Sequence, residues 1–240
     1  MISLQCVTKR FAGGKTAVDA LNLDVNAGEV FGYLGHNGAG KTTTLRMLVG
    51  LLAPDAGRVL VDNIDVAAHP LDVKRRIGFV PDNPDLYERL SGLEYLRFIA
   101  DVFEVPEADR TERVLRLGDQ LELTPDLNGR ISVYSRGMRQ KLAIMAALIH
   151  APSVWILDEP MVGLDPKAAH ALKGLMTAHA RAGNTVLFST HVLEVAERLC
   201  DRVAIIKQGK LIASGTVPEL KALHGVDQSL EHIFLELTGS

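Results

Sequence analysis

The segment Gly35-His36-Asn37-Gly38-Ala39-Gly40-Lys41-Thr42 fits G-x-x-x-x-G-K-[ST] and lies between an apolar run, Val30 to Leu34, and a helix-forming stretch, Thr43 to Val49. A buried strand, a glycine-rich loop and a helix in that order restrict the architecture to an α/β core. Glycines let the backbone fold so closely that successive N–H groups converge on one concavity, where they cradle phosphate oxygens. Lys41 adds a point charge for the outer phosphates, and the Thr42 hydroxyl suits Mg²⁺. The helix N-terminus that follows favours an anion. A nucleoside triphosphate site is therefore expected, contacted by Gly35, Asn37, Gly38, Gly40, Lys41, Thr42 and Thr43. The loop alone does not distinguish among the kinds of nucleotide enzyme.

At 240 residues the chain can bury the core of one domain, or of one domain with a subdomain. Its 47% hydrophobic and 23% charged residues are ordinary for a globular protein. A formal charge of −3 supplies no basic field for nucleic acid, so no nucleic-acid partner is expected. Cys6 and Cys200 are the only cysteines, which argues against a disulfide framework or a thiolate metal cluster and agrees with a reducing cytoplasm. The first residues lack a secretory pattern, and no run approaches the roughly 18 apolar residues that span a bilayer. Membrane contact is expected only through a partner.

Organisation along the chain follows the hydrophobic pattern. Leu21, Leu23 and Val25 alternate with polar residues as in a half-buried strand, and Val59 to Ile64 reads as a hairpin turning at Asn63. Leu90 to Glu122 reads as mostly helical, opened by a Ser91/Glu94 capping box. Ser153 to Leu157 and Thr185 to Ser189 are continuous apolar runs, as expected of parallel strands covered on both faces. Between them, Asp165 and Pro166 open a helix that runs to Arg181, and a late hairpin turns at Gln208-Gly209. The expectation is an α/β, P-loop-type core with an antiparallel β flank and a helical insertion. As boundaries, 1–84 and 131–215 form the core with its flank, 85–130 the helical subdomain and 216–240 a C-terminal tail.

Asp158-Glu159 ends the first of those apolar runs. Ligands of an open α/β sheet sit at the carboxyl ends of strands, beside the phosphate loop that ends another strand. Asp158 is thereby placed to hold Mg²⁺, and Glu159 to orient an attacking water at the terminal phosphate.

Tyr134-Ser135-Arg136-Gly137-Met138-Arg139-Gln140 resembles the signature motif of ABC-type ATPases, usually written LSGGQ, in the YS-[KR]-GM-[RK]-Q form of ABC-2-type exporter subunits. Ser135 and Gly137 match; Tyr134, Arg136 and Met138 depart. A hydroxyl and a glycine at a helix N-terminus suit a phosphate, although such a start is also an ordinary cap. The resemblance covers Leu4 to Gly215 and implies further roles. Phe11 stands where the family stacks an aromatic on adenine, with core packing as the alternative. Gly163 to Pro166 resembles the loop that crosses the dimer interface, and His191 resembles the histidine that contacts the γ-phosphate. Asp82 stands where the family has glutamine; as a shorter, charged oxygen ligand it still suits Mg²⁺.

The resemblance implies a subunit that hydrolyses ATP with Mg²⁺. It would work head-to-tail with a second nucleotide-binding subunit, and couple to a separate membrane-spanning permease at the cytoplasmic face of the cell membrane. Ser135 and Gly137 of the opposite subunit would close the γ-phosphate side, with Glu159 and His191 organising water and phosphate. A soluble ABC ATPase acting on ribosomes or DNA is the alternative, but the second cassette, basic linker or zinc insertion of such proteins is not seen. A kinase or GTPase would not need the Ser135–Gly137 segment.

Overall fold

The computed structural model describes residues 1–224 and 228–239. The chain opens with β1 (Ile2–Arg10) and β2 (Thr16–Val25), continues through β3 (Val30–Leu34) and α1 (Lys41–Leu48), and returns to β4 (Ala56–Val61) and β5 (Ile64–Asp65). After α2 (Pro70–Lys74) and β6 (Ile77–Val80) come three helices, α3 (Gly92–Val102), α4 (Glu107–Gln120) and α5 (Arg136–Leu148). Strands and helices then alternate: β7 (Val154–Asp158), α6 (Pro166–Arg181), β8 (Thr185–Thr190), α7 (Leu193–Leu199). A hairpin of β9 (Arg202–Lys207) and β10 (Lys210–Gly215) leads to α8 (Val217–His224) and α9 (Leu230–Thr238).

Two sheets result. The order β2-β1-β4-β5 is antiparallel throughout, and the order β10-β9-β3-β8-β7-β6 is parallel except at its β10 edge. In β2, Leu21, Leu23 and Val25 are buried while Asn22 and Asp24 are exposed, the period of two that a one-sided sheet imposes. Asp62 and Asn63, both with positive φ, form the two-residue turn between β4 and β5.

β3, β7 and β8 are buried over their whole length, and the side chains of β7 and β8 are shared between two cores. Val154, Ile156 and Leu187 face the antiparallel sheet and α1; Trp155, Leu157 and Phe188 face the helices, among them Leu96, Ile144 and Leu172. Gly78 is needed where α5 crosses β6, because a Cβ there would lie 2.2 Å from the Ala147 carbonyl oxygen. α3 begins at the expected box: Ser91 Oγ accepts the Glu94 N–H, and the Glu94 carboxylate accepts the Ser91 N–H. A third core, with Leu34, Val203, Ile205, Leu220, Ile233 and Phe234, seals the other end of the parallel sheet under α7, α8 and α9. No helix among the described residues is long and apolar enough to cross a membrane.

Candidate active site

The parallel strands end along one edge. Leu34 lies opposite Thr190, Asp158 opposite Ser189, and Val80 opposite Leu157. The loops that leave those ends line a cleft of about 510 Å³ whose walls include Gly38, Gly40, Lys41, Thr42, Asp158 and Glu159.

The phosphate loop is shaped by a contact outside itself. Gly40 has φ 111°, and a Cβ on it would stand 2.4 Å from the Ala17 carbonyl oxygen of β2, so only glycine fits. α1 starts at Lys41, with no acidic residue in its first turn, so no carboxylate of the helix itself offsets the positive end of its dipole. Lys41 folds back over the loop: its Nζ donates to the Gly35 carbonyl at 2.6 Å and lies 3.4 Å from the Glu159 Oε1.

Asp158 and Glu159 are held differently. Asp158 is 2% exposed, and its two oxygens accept hydrogen bonds from Thr42 Oγ1 at 2.7 Å and from Ser189 Oγ at 2.5 Å. Glu159 has φ 48°, a left-handed conformation that costs a non-glycine residue roughly 1–2 kcal/mol. Its N–H donates to the Ser189 Oγ at 3.1 Å and to the Ser189 carbonyl at 3.2 Å, which keeps that geometry. Its Oε2 is paired with His191 Nδ1 at 2.9 Å and accepts the His191 N–H at 3.4 Å. Its Oε1 is buried and accepts no hydrogen bond, although Lys41 stands at ion-pair distance. A buried acceptor left open in this way is rare, and here it belongs to a carboxylate on the wall of the cleft.

These donors fit Mg²⁺. Thr42 Oγ1 and Asp158 Oδ2 adjoin one another, and Asp82 lines the same cleft, so the ligands on offer are the hard oxygens that Mg²⁺ prefers. Phe11 is 44% exposed at the cleft, which rules out core packing. Asp82 lies 4.0 Å from Arg136 Nη2, so two departures from the family pattern meet each other. Both are largely exposed, and the pair adds little to stability. Ser135 caps α5, its Oγ accepting the Met138 N–H at 3.2 Å, and neither it nor Gly137 lines the cleft of its own chain. The structure thus brings together Phe11, the phosphate loop, Asp82, Asp158, Glu159 and His191, and leaves Ser135 and Gly137 apart. Ser189 escaped sequence reading, since it reads only as the end of an apolar run.

A family model described as ABC transporter matches residues 18–162, the stretch from β2 to just past Glu159. The chain belongs to the ABC transporter family. As a member it is an ATPase cassette, and ATP is its nucleotide. The chain is 36% identical to the ABC transporter ATP-binding protein NatA of Bacillus subtilis over 241 residues, 98% of this chain and 97% of that one. It is 37% identical to the Nod factor export ATP-binding protein I of Ralstonia nicotianae, over 92% of this chain and 68% of the relative. An uncharacterized ABC transporter ATP-binding protein of Nostoc sp. is 39% identical over 83% of this chain, which spans only 59% of that relative's length. Among solved structures, an ATP binding subunit of an ABC transporter superposes with a TM-score of 0.94 at 32% identity over 99% of both chains. A dimeric, post-hydrolysis ATP-binding cassette, MJ0796 with ADP and Pi, superposes with a TM-score of 0.82 at 28% identity, over 90% of this chain and 99% of that one. The cassette's two sheets and helical subdomain are thus those of ATP-binding cassettes.

Proposed function

We propose that this cassette is the ATP-hydrolysing motor subunit of an exporter, pairing head-to-tail with a second nucleotide-binding subunit beneath a membrane-spanning permease at the cytoplasmic face. The observation that carries the catalytic part is the Glu159 carboxylate on the cleft wall, with Oε2 held by His191 and Oε1 buried, without a hydrogen bond and facing only the Lys41 ammonium at ion-pair distance. A carboxylate with one fixed and one open oxygen is equipped to orient a water and accept its proton. His191, half exposed, fixes that carboxylate and would contact the terminal phosphate.

Mg²⁺, when bound, would supply charge neutralisation for the phosphates. Thr42 and Asp158 would hold it, with Asp82 beside them, while the loop N–H groups and Lys41 bind the phosphates and Phe11 stacks on the base. Lys41 must leave the Gly35 carbonyl to do so, which also frees Glu159 of its ion pair. Ser135 and Gly137 stand apart from their own cleft, and this supports their closing the partner subunit's site. The named likeness to a Nod factor export protein supports export. For coupling, residues 85–130 act as the helical subdomain against the 1–84 and 131–215 core. Between them lies an apolar groove of about 300 Å³, lined by Phe79, Pro84, Leu86, Tyr95 and Phe103, which would seat the permease next to Asp82.

Glu159→Gln tests the assignment. Turnover should fall by at least on the order of 100-fold while nucleotide binding persists. Hydrolysis near the wild-type rate would reject Glu159 as the water-orienting base.

A further inference from the structure

We propose that His36 is a positioning residue for nucleotide binding, through which the C-terminal helix α9 holds the phosphate loop in shape. His36 is the second residue of that loop and lines the cleft, and its ring packs on α9, with its centroid 4.8 Å from that of Phe234. Its Nε2 lies 3.3 Å from Thr238 Oγ1. The Thr238 hydroxyl donates its one proton to the Phe234 carbonyl at 2.7 Å, so toward His36 the oxygen accepts and Nε2 carries the hydrogen.

The main chain of the same residue is part of the phosphate cradle. The His36 carbonyl accepts the Ala39 N–H at 3.1 Å and lies 3.4 Å from Lys41 Nζ. Fixing the ring therefore fixes the turn that shapes the loop and the resting place of its lysine. α9 is itself firmly seated. Ser229 caps it, Ile233 and Phe234 are buried in the core that contains Leu34, and the Leu230 N–H donates to Glu197 of α7 at 3.2 Å. Since α7 starts two residues after His191, one helix braces both the loop that takes the phosphates and the segment that presents the histidine.

A loop held in its binding shape loses less freedom when ATP arrives; an unheld one binds in proportion to the time it spends in that shape. One neutral hydrogen bond with a ring contact corresponds to on the order of 3- to 10-fold in affinity.

The inference rests on Gly35–Thr42 being the ATP phosphate loop, and the test separates the two. The full chain is titrated with a fluorescent ATP analogue as wild type, His36→Ala, Thr238→Val, the double variant, His36→Gln and Lys41→Ala. The expected result is about 3- to 10-fold weaker binding for His36→Ala, a double variant no worse than His36→Ala, and recovery in His36→Gln, whose amide offers N–H near the position of Nε2. In steady-state assays KM rises and kcat holds. Wild-type affinity in His36→Ala, or effects of His36→Ala and Thr238→Val that multiply fully, would overturn the role. Should His36→Ala also lower the unfolding midpoint without nucleotide, the same comparison decides: non-multiplying effects support the clamp and multiplying ones reject it. Full binding by Lys41→Ala would sink the loop reading itself. Loss there with no change in His36→Ala sinks only the clamp.

Discussion

Ser189 ties the two carboxylates of the site together with one side-chain oxygen. It donates to Asp158 and accepts from the Glu159 main chain, so the buried aspartate and the strained glutamate share one reference point. Removing it leaves one Asp158 oxygen without a donor and one support fewer for the left-handed backbone at Glu159. Hydrogen bonds to charged groups contribute about 1.5–3 kcal/mol, so Ser189→Ala should lower kcat on the order of tenfold or more. ATP binding measured without Mg²⁺ should change little, and an unaltered kcat would show that Ser189 holds nothing that matters to turnover. Asp158 and Glu159 themselves were legible in the sequence, because an apolar run delivers them to a strand end. Ser189 was not: its partners lie 30 and 31 residues away, joined only by the pairing of β7 with β8. The contact of His36 with Thr238, across 202 residues, is still less accessible to any spacing rule.

Elements were legible where one local rule sufficed. Continuous apolar runs marked β3, β7 and β8, and Asp165 with Pro166 marked the start of α6, where Asp165 accepts the Ala168 N–H at 2.9 Å. The β9–β10 hairpin was readable as a hairpin. That β9 pairs in parallel with β3, inside the main sheet, depends on a contact about 170 residues long, which no local pattern encodes. Two helix-derived histidines also gain meaning only from packing. His150, just past α5, stacks on Phe103 at 3.8 Å and donates from Nε2 to the Ile77 carbonyl at 3.1 Å, leaving its buried Nδ1 without a partner. His179 of α6 sits edge-on to Trp155 with its own Nε2 unpartnered. Burial holds both imidazoles neutral, pushing each from 6.5 down to about 4. Between those values the unfolded chain takes up protons that the folded chain refuses. Stability should therefore be complete above pH 6.5 and decline as pH falls toward 4. Urea midpoints across that range check it, and His179→Leu should decline less steeply than wild type. Equal slopes would remove His179 from the account.

The whole molecule joins an antiparallel sheet, a parallel sheet and a helical subdomain around three cores, and the described residues after 215 pack back onto the third core as α8 and α9. Its family and architecture could be read from the ordered series of motifs, since each constrains a different strand end or helix start. The placement of Ser135 and Gly137 away from their own cleft has a consequence for the rate law. If a site is complete only when two chains meet, hydrolysis by the isolated subunit is second order in protein at low concentration and first order once dimers saturate. Specific activity should then rise on concentrating the protein from nanomolar to micromolar, and fall again on dilution. A specific activity that stays flat across that series, with a monomeric mass throughout, would mean that a single chain carries a complete site.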